Sequence, residues 1–159
     1  MIFFDIDGVI RDVCTPVFGK QADKWEQKDS NGNGVIKAIS ENLDILVSAP
    51  TLEYLECVIP YMDYFLSHQP ETWRVYTDEW IRRNIGESYV SKAIYVSHPD
   101  QKMEYIHNND ILVEDSPKLR DYKNVILVDR PYNKNINGRI IRVYDAKQLK
   151  YILNMVKTG

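Results

Sequence analysis

The chain has 159 residues, 44% of them hydrophobic and 27% charged, with a formal net charge of −3. That length predicts one domain able to bury a core without disulfide or metal staples, and the near-neutral charge argues against a nucleic-acid coat or a polybasic membrane patch. No apolar run approaches the roughly 20 residues of a membrane span, Met1-Ile2-Phe3-Phe4-Asp5 lacks the basic start of a secretory leader, and Cys14 and Cys57 lie far apart outside any CxxC pair, so the expected setting is a reducing cytoplasm.

In chain order, Ile2-Phe3-Phe4 runs into Asp5-Ile6-Asp7, Leu43 to Val47 into Ser48, Ala93 to Val96 into Ser97, Ile111-Leu112-Val113 into Glu114-Asp115, and Val125 to Val128 into Asp129. These runs are apolar on both parities, which predicts strands covered on both faces, as in a parallel sheet. Between them, residues recur at helical spacing: Leu52, Leu55, Ile59, Met62 and Phe65 within Thr51 to Leu66, then Asp78 to Ile85, Gln101 to His107, and Ala146 to Val156 behind Asp145 as N-cap. The alternation predicts an α/β class, a central parallel sheet flanked by helices. The polar stretch from Lys20 to Asn33 marks a small insert over about 15–41, between core segments 1–14 and 42–159. Pro131 to Gly138 reads as a second irregular piece. Asp29-Ser30-Asn31-Gly32-Asn33-Gly34 imitates the start of a calcium loop, but position 12 is Ser40 rather than Glu; a plain turn into a helix over Val35 to Glu41 is expected.

In an open parallel sheet, function gathers at the carboxyl ends of the strands. The expected strand ends carry Asp5, Asp7, Ser48, Glu114 and Asp115. Asp-x-Asp-Gly behind an apolar strand has a physical logic: two acids at a strand tip, joined by a third from another strand, make an all-oxygen site suited to Mg²⁺. Gly8 allows a turn and a close backbone approach to a ligand, and the N–H groups of that turn can cradle phosphate oxygens.

The segment Asp5-Ile6-Asp7-Gly8-Val9 resembles the first motif of the haloacid dehalogenase (HAD) superfamily of phosphotransferases. Ile45-Leu46-Val47-Ser48 is similar to the second motif, Lys102 to the third, and Ile111-Leu112-Val113-Glu114-Asp115 to the fourth. Ser48-Ala49-Pro50, the Trp80 helix, Asp110 to Pro117 and Pro131-Tyr132-Asn133 resemble segments of the 5′(3′)-deoxyribonucleotidases. The resemblance implies a Rossmann-like HAD fold with a reduced cap inserted after the first strand. It implies a Mg²⁺-dependent phosphomonoester hydrolase working through an aspartyl-phosphate. Asp5 would be the nucleophile and Asp7 the general acid and base. Asp5, Asp7 (through its carbonyl) and Asp115 would hold the metal, with Glu114 orienting metal waters. Ser48, Lys102 and the backbone of Ile6 and Ala49 would bind the phosphoryl oxygens. Thr77 stands where those enzymes carry a further Lys. Trp25, Phe18 and Arg11, in or near the insert, are candidates for recognising the leaving group, expected to be a nucleoside. The alternatives are another phosphate ester such as a polynucleotide 3′ end, which the missing basic stripe disfavours, and a nucleotide-binding protein without turnover. So small a cap also leaves room for a second copy of the chain to cover the site as a homo-oligomer.

Overall fold

The computed structural model describes residues 1–119, 122–134 and 141–159. Its strands are β1 (Ile2–Phe4), β2 (Tyr64–His68), β3 (Ala93–Val96), β4 (Ile111–Glu114), β5 (Val125–Val128) and β6 (Ile141–Val143). All pair in parallel in one sheet of order β3-β2-β1-β4-β5-β6. The helices are α1 (Cys14–Phe18), α2 (Val35–Ser40), α3 (Ile45–Ser48), α4 (Val58–Tyr61), α5 (Arg74–Asn84) and α6 (Ala146–Thr158). The expected α/β class is therefore seen, with a doubly wound topology that reverses direction between β1 and β4.

Period-two alternation divides the core. Ile2, Phe4, Phe65, Val113 and Ile126 face one side and pack with Trp80 and Ile81 of α5 and Leu149 and Leu153 of α6. Phe3, Leu66, Leu112 and Val125 face the other, against Met103 and Ile106. Both faces of the sheet are covered, which is why its central strands are apolar at successive positions. A third cluster joins Val13, Ile39, Leu46, Ala49 and Trp73 beneath the connection between β1 and β2. No helix among the described residues is long and apolar enough to cross a membrane.

The structure corrects the second strand. Leu43 to Val47 is not extended: Ile45–Ser48 forms the short helix α3, with Leu46 in the third cluster. A four- or five-residue apolar run cannot be told from a buried helical turn by periodicity. The strand lies instead at Tyr64–His68, inside the stretch read as one helix from Thr51 to Leu66. That stretch breaks into a 3₁₀ turn at Glu53–Cys57, then α4, and ends where Asp63 turns the chain. The Asp63 amide donates to Ile2 O at 2.8 Å, and its carboxylate accepts from Ile2 N at 2.7 Å. The connection between β1 and β2 thus runs on to Asp63, well past the expected boundary at 41. Edge strand β6 was not anticipated, and Gln101 to His107 is represented by a 3₁₀ segment at Pro99–Glu104. The helices expected near Asp78 and Ala146 are present, and Asp145 caps α6 by accepting from Gln148 N at 2.8 Å. The calcium-loop imitation is a turn in which Asp29 Oδ1 accepts from Asn31 N and Asn33 N, leading into α2. Of the irregular piece from Pro131, the part from 135 to 138 lies outside the described residues.

Candidate active site

The register of β1 against β4, with Phe4 beside Val113 and Asp5 N donating to Val113 O at 2.9 Å, carries Asp5 and Glu114 to neighbouring strand tips. This is the point where the sheet order reverses and a crevice opens. Asp5, Glu114 and Asp115 are all buried there, with carboxylate oxygens within 4.8 Å of one another. Lys102, 3% exposed, reaches the cluster from the 3₁₀ segment after β3. Its Nζ lies 2.7 Å from Glu114 Oε2 and 3.2 Å from Asp5 Oδ2.

Three buried carboxylates against one ammonium leave an excess of negative charge. Burial, reinforced by Glu114, raises the Asp5 carboxyl well above its usual range. Burial and the neighbouring Asp5 push Asp115 up to about 7. Burial opposes the charge on Lys102, but Asp5 and Glu114 outweigh it and hold the ammonium above its ordinary value. The donor set is all oxygen, hard and net anionic, so Asp5, Glu114 and Asp115 fit a divalent cation such as Mg²⁺.

Neighbouring loops hold this cluster. Glu114 Oε1 accepts from the amides of Asp115 and Ser116 at 3.0 and 3.2 Å, pinning the turn after β4. The Tyr132 hydroxyl donates to Asp115 Oδ2, and Asn133 Nδ2 donates to Asp115 O at 2.9 Å. Arg130 Nε donates to Gly8 O at 2.8 Å. Gly8 has φ +80°, and a Cβ there would stand 1.9 Å from Asp115 Oδ2. The Gly of Asp-x-Asp-Gly is thus required both for its backbone angle and for the approach of Asp115.

The structure departs from several sequence expectations. Ser48 is exposed at the end of α3 and bonds Asp44 O, while Ala49 O accepts from Trp80 Nε1 at 2.8 Å. Neither lines the cavity of about 480 Å³ that holds Asp5, Asp7 and Lys102. The serine at the tip of the second strand is Ser67, which does line it. The Ile6 amide, expected to face a phosphate, donates to Asp5 Oδ1 at 2.8 Å. Asp7 lines the cavity but does not join the three-acid cluster: Arg11 Nε and Nη2 bond its two oxygens at 2.6 and 3.1 Å, and Gln69 Nε2 donates at 2.8 Å. Arg11 is fully buried, donates also to Leu46 O and lies 5.6 Å over the Trp80 ring. It holds Asp7 and is not free to meet a leaving group. Glu114 grips Lys102 directly and joins the metal-capable group, a closer place than the water-orienting one expected. Phe18 and Trp25 do line the cavity, Trp25 39% exposed with its ring 5.6 Å from that of Tyr132. His68 was missed, as were Gln69 and the bond from Tyr132 to Asp115. The signal for Ser67 was present, because Tyr64-Phe65-Leu66 is an apolar β-forming run that ends in Ser.

Fold and site together define a doubly wound α/β protein with a buried carboxylate–lysine cluster at its switch point. No family model matches the chain, and no curated protein matches it.

Proposed function

We propose that this chain is a Mg²⁺-dependent phosphomonoester hydrolase of HAD type, with nucleoside monophosphates as its favoured substrates. The observation that carries the reading is Asp5, a buried carboxylate at the tip of a central strand, with Lys102 3.2 Å from Oδ2 and two further carboxylates around it. Asp5, Glu114 and Asp115 would hold the cation. When bound, the cation offsets the repulsion between an anionic nucleophile and an anionic ester and stabilises charge on the phosphoryl oxygens. An Asp5 oxygen forms a bond to phosphorus as the ester P–O bond breaks; Asp7, held as a carboxylate by Arg11 and Gln69, has no proton to give at this step, so the leaving oxygen takes its proton from solvent. Water then attacks the aspartyl-phosphate, gives its proton to Asp7 and returns Asp5 as a carboxylate. Lys102 offsets charge beside the nucleophile, and Ser67 takes the place expected of Ser48 against the phosphoryl oxygens. Phe18 and Trp25 supply apolar and aromatic walls for a nucleoside. A second reading, the phosphate of a polynucleotide 3′ end, draws on Lys24, Lys28 and Lys37 along the same cavity.

Phosphate release from nucleoside monophosphates, sugar phosphates and 3′-phosphorylated oligonucleotides tests both readings. Mg²⁺ should be required, chelation should abolish release, and Asp5→Asn should lower kcat by at least about a thousandfold. Turnover by Asp5→Asn near the wild-type rate refutes the covalent route.

A further inference from the structure

Gln69 lies two residues past Ser67 and is fully buried. Its backbone is fixed, with N donating to Val96 O at 3.1 Å and O accepting from Arg74 Nε at 3.2 Å. Its side-chain amide makes four bonds: Nε2 donates to Asp7 Oδ2 at 2.8 Å and to Ser67 Oγ at 2.9 Å, while Oε1 accepts from Thr77 Oγ1 at 2.8 Å and from Arg11 Nη2 at 3.4 Å. Only one amide orientation satisfies this set. Turned over, the NH₂ group would face a guanidinium that has only donors, and the carbonyl oxygen would face a carboxylate that has only acceptors. The ion pair of Asp7 with Arg11 therefore decides which end of Gln69 meets Ser67, and that end is a donor.

A serine hydroxyl has one proton. Because Ser67 Oγ accepts from Gln69, that proton is directed away from Gln69. Ser67 is 1% exposed, and the surface it keeps lies in the cavity with Asp5, Asp7 and Lys102.

We propose that Gln69 is a positioning residue that fixes the Ser67 hydroxyl as a donor to an anionic oxygen of the phosphate ester. The proposal rests on the phosphate reading of the site. It couples two elements, since the Asp7 turn after β1 then sets a proton on the tip of β2.

The test is binding of inorganic phosphate to the Mg²⁺-loaded protein, measured by calorimetry, so that turnover is not needed. Losing a hydrogen bond to a charged group should make Ser67→Ala bind about 10- to 100-fold more weakly. Gln69→Leu should weaken binding by a similar factor in the wild-type background and add nothing once Ser67 is Ala. Gln69→Met keeps the length of the side chain, removes the donor without adding a charge, and stands in if Gln69→Leu fails to fold. It too should lose affinity in a way that largely disappears in the Ser67→Ala background. Wild-type affinity in either Gln69 variant, or losses that persist in full when Ser67 is Ala, overturn the proposal. Wild-type protein that binds no phosphate with Mg²⁺ present refutes the phosphate reading itself and takes this inference with it.

Discussion

Asp115→Asn should stabilise the metal-free protein, and increasingly so as pH rises. Folding moves the Asp115 carboxyl from an ordinary value of 3.8 up to about 7 through burial and the nearby Asp5. Between those values the folded protein holds a proton that the unfolded chain has released, so stability falls as pH rises through the window. At about 1.4 kcal/mol per unit, three units amount to roughly 4 kcal/mol once both states are ionised. Going from pH 5 to pH 8 crosses about two of those units, about 3 kcal/mol, or about 6–12 °C in Tm for a chain of this size. Asn keeps an acceptor for the Tyr132 hydroxyl and removes the charge. Burial holds the neighbouring His68 imidazole below its usual value, an effect of opposite sign on stability, but it is common to both proteins and cancels in their difference. The assay is thermal unfolding of wild type and variant in chelator at pH 5 and pH 8, then with Mg²⁺ at pH 8. The variant's advantage should grow by those 6–12 °C toward pH 8, and Mg²⁺ should raise the wild type alone. A Tm difference that stays constant with pH, or that favours the wild type at pH 8 in chelator, refutes the account of a cluster strained by its own charge.

Gly8→Ala should lower Tm and abolish the Mg²⁺-dependent rise. The left-handed backbone alone costs about 1–2 kcal/mol, and a Cβ 1.9 Å from Asp115 Oδ2 displaces a cluster carboxylate; a wild-type response to Mg²⁺ counts against this geometry. Trp25→Ala should narrow the preference in kcat/KM for a nucleoside monophosphate over ribose 5-phosphate by about 5- to 150-fold, the worth of one base stacked on an aromatic ring. An unchanged ratio removes Trp25 from substrate recognition.

Much of the sheet was legible because its central strands are covered on both faces, which forces apolar residues at successive positions in Ile2–Phe4, Ile111–Glu114 and Val125–Val128. The acids at two of those tips were legible by their place, because ligands of an open parallel sheet gather at the carboxyl ends of its strands; Asp129, behind the third run, pairs with Arg142 instead. The second strand was lost to two coincidences of spacing. Phe65 extended a three-and-four repeat begun by Leu52, and Leu43 to Val47 imitated a strand ending in Ser. Pro60 and Asp63 were the signals against a continuous helix. Gln69 could not be placed at all, and Arg11 was read toward the leaving group rather than toward Asp7. Their roles arise only where the turn after β1 meets the tip of β2, a juxtaposition that no local spacing encodes.

That juxtaposition also separates two kinds of buried charge in one crevice. Asp7 is compensated within the chain: a bidentate guanidinium and an amide satisfy it, and the pair locks the neighbouring polar network. Asp5, Glu114 and Asp115 share a single ammonium, and their burial raises all three carboxyls above their ordinary values. A fold optimised only for stability would not leave buried charge uncompensated, because an unpaired buried ion costs several kcal/mol. Here the turns after β1, β4 and β5 are bonded to one another through Gly8, Asp115, Arg130, Tyr132 and Asn133, which prevents the carboxylates from relaxing apart. The imbalance is thus built in at a fixed geometry; a proton kept on one carboxyl relieves it, as the raised values record, and under the proposed function a cation would take that proton's place.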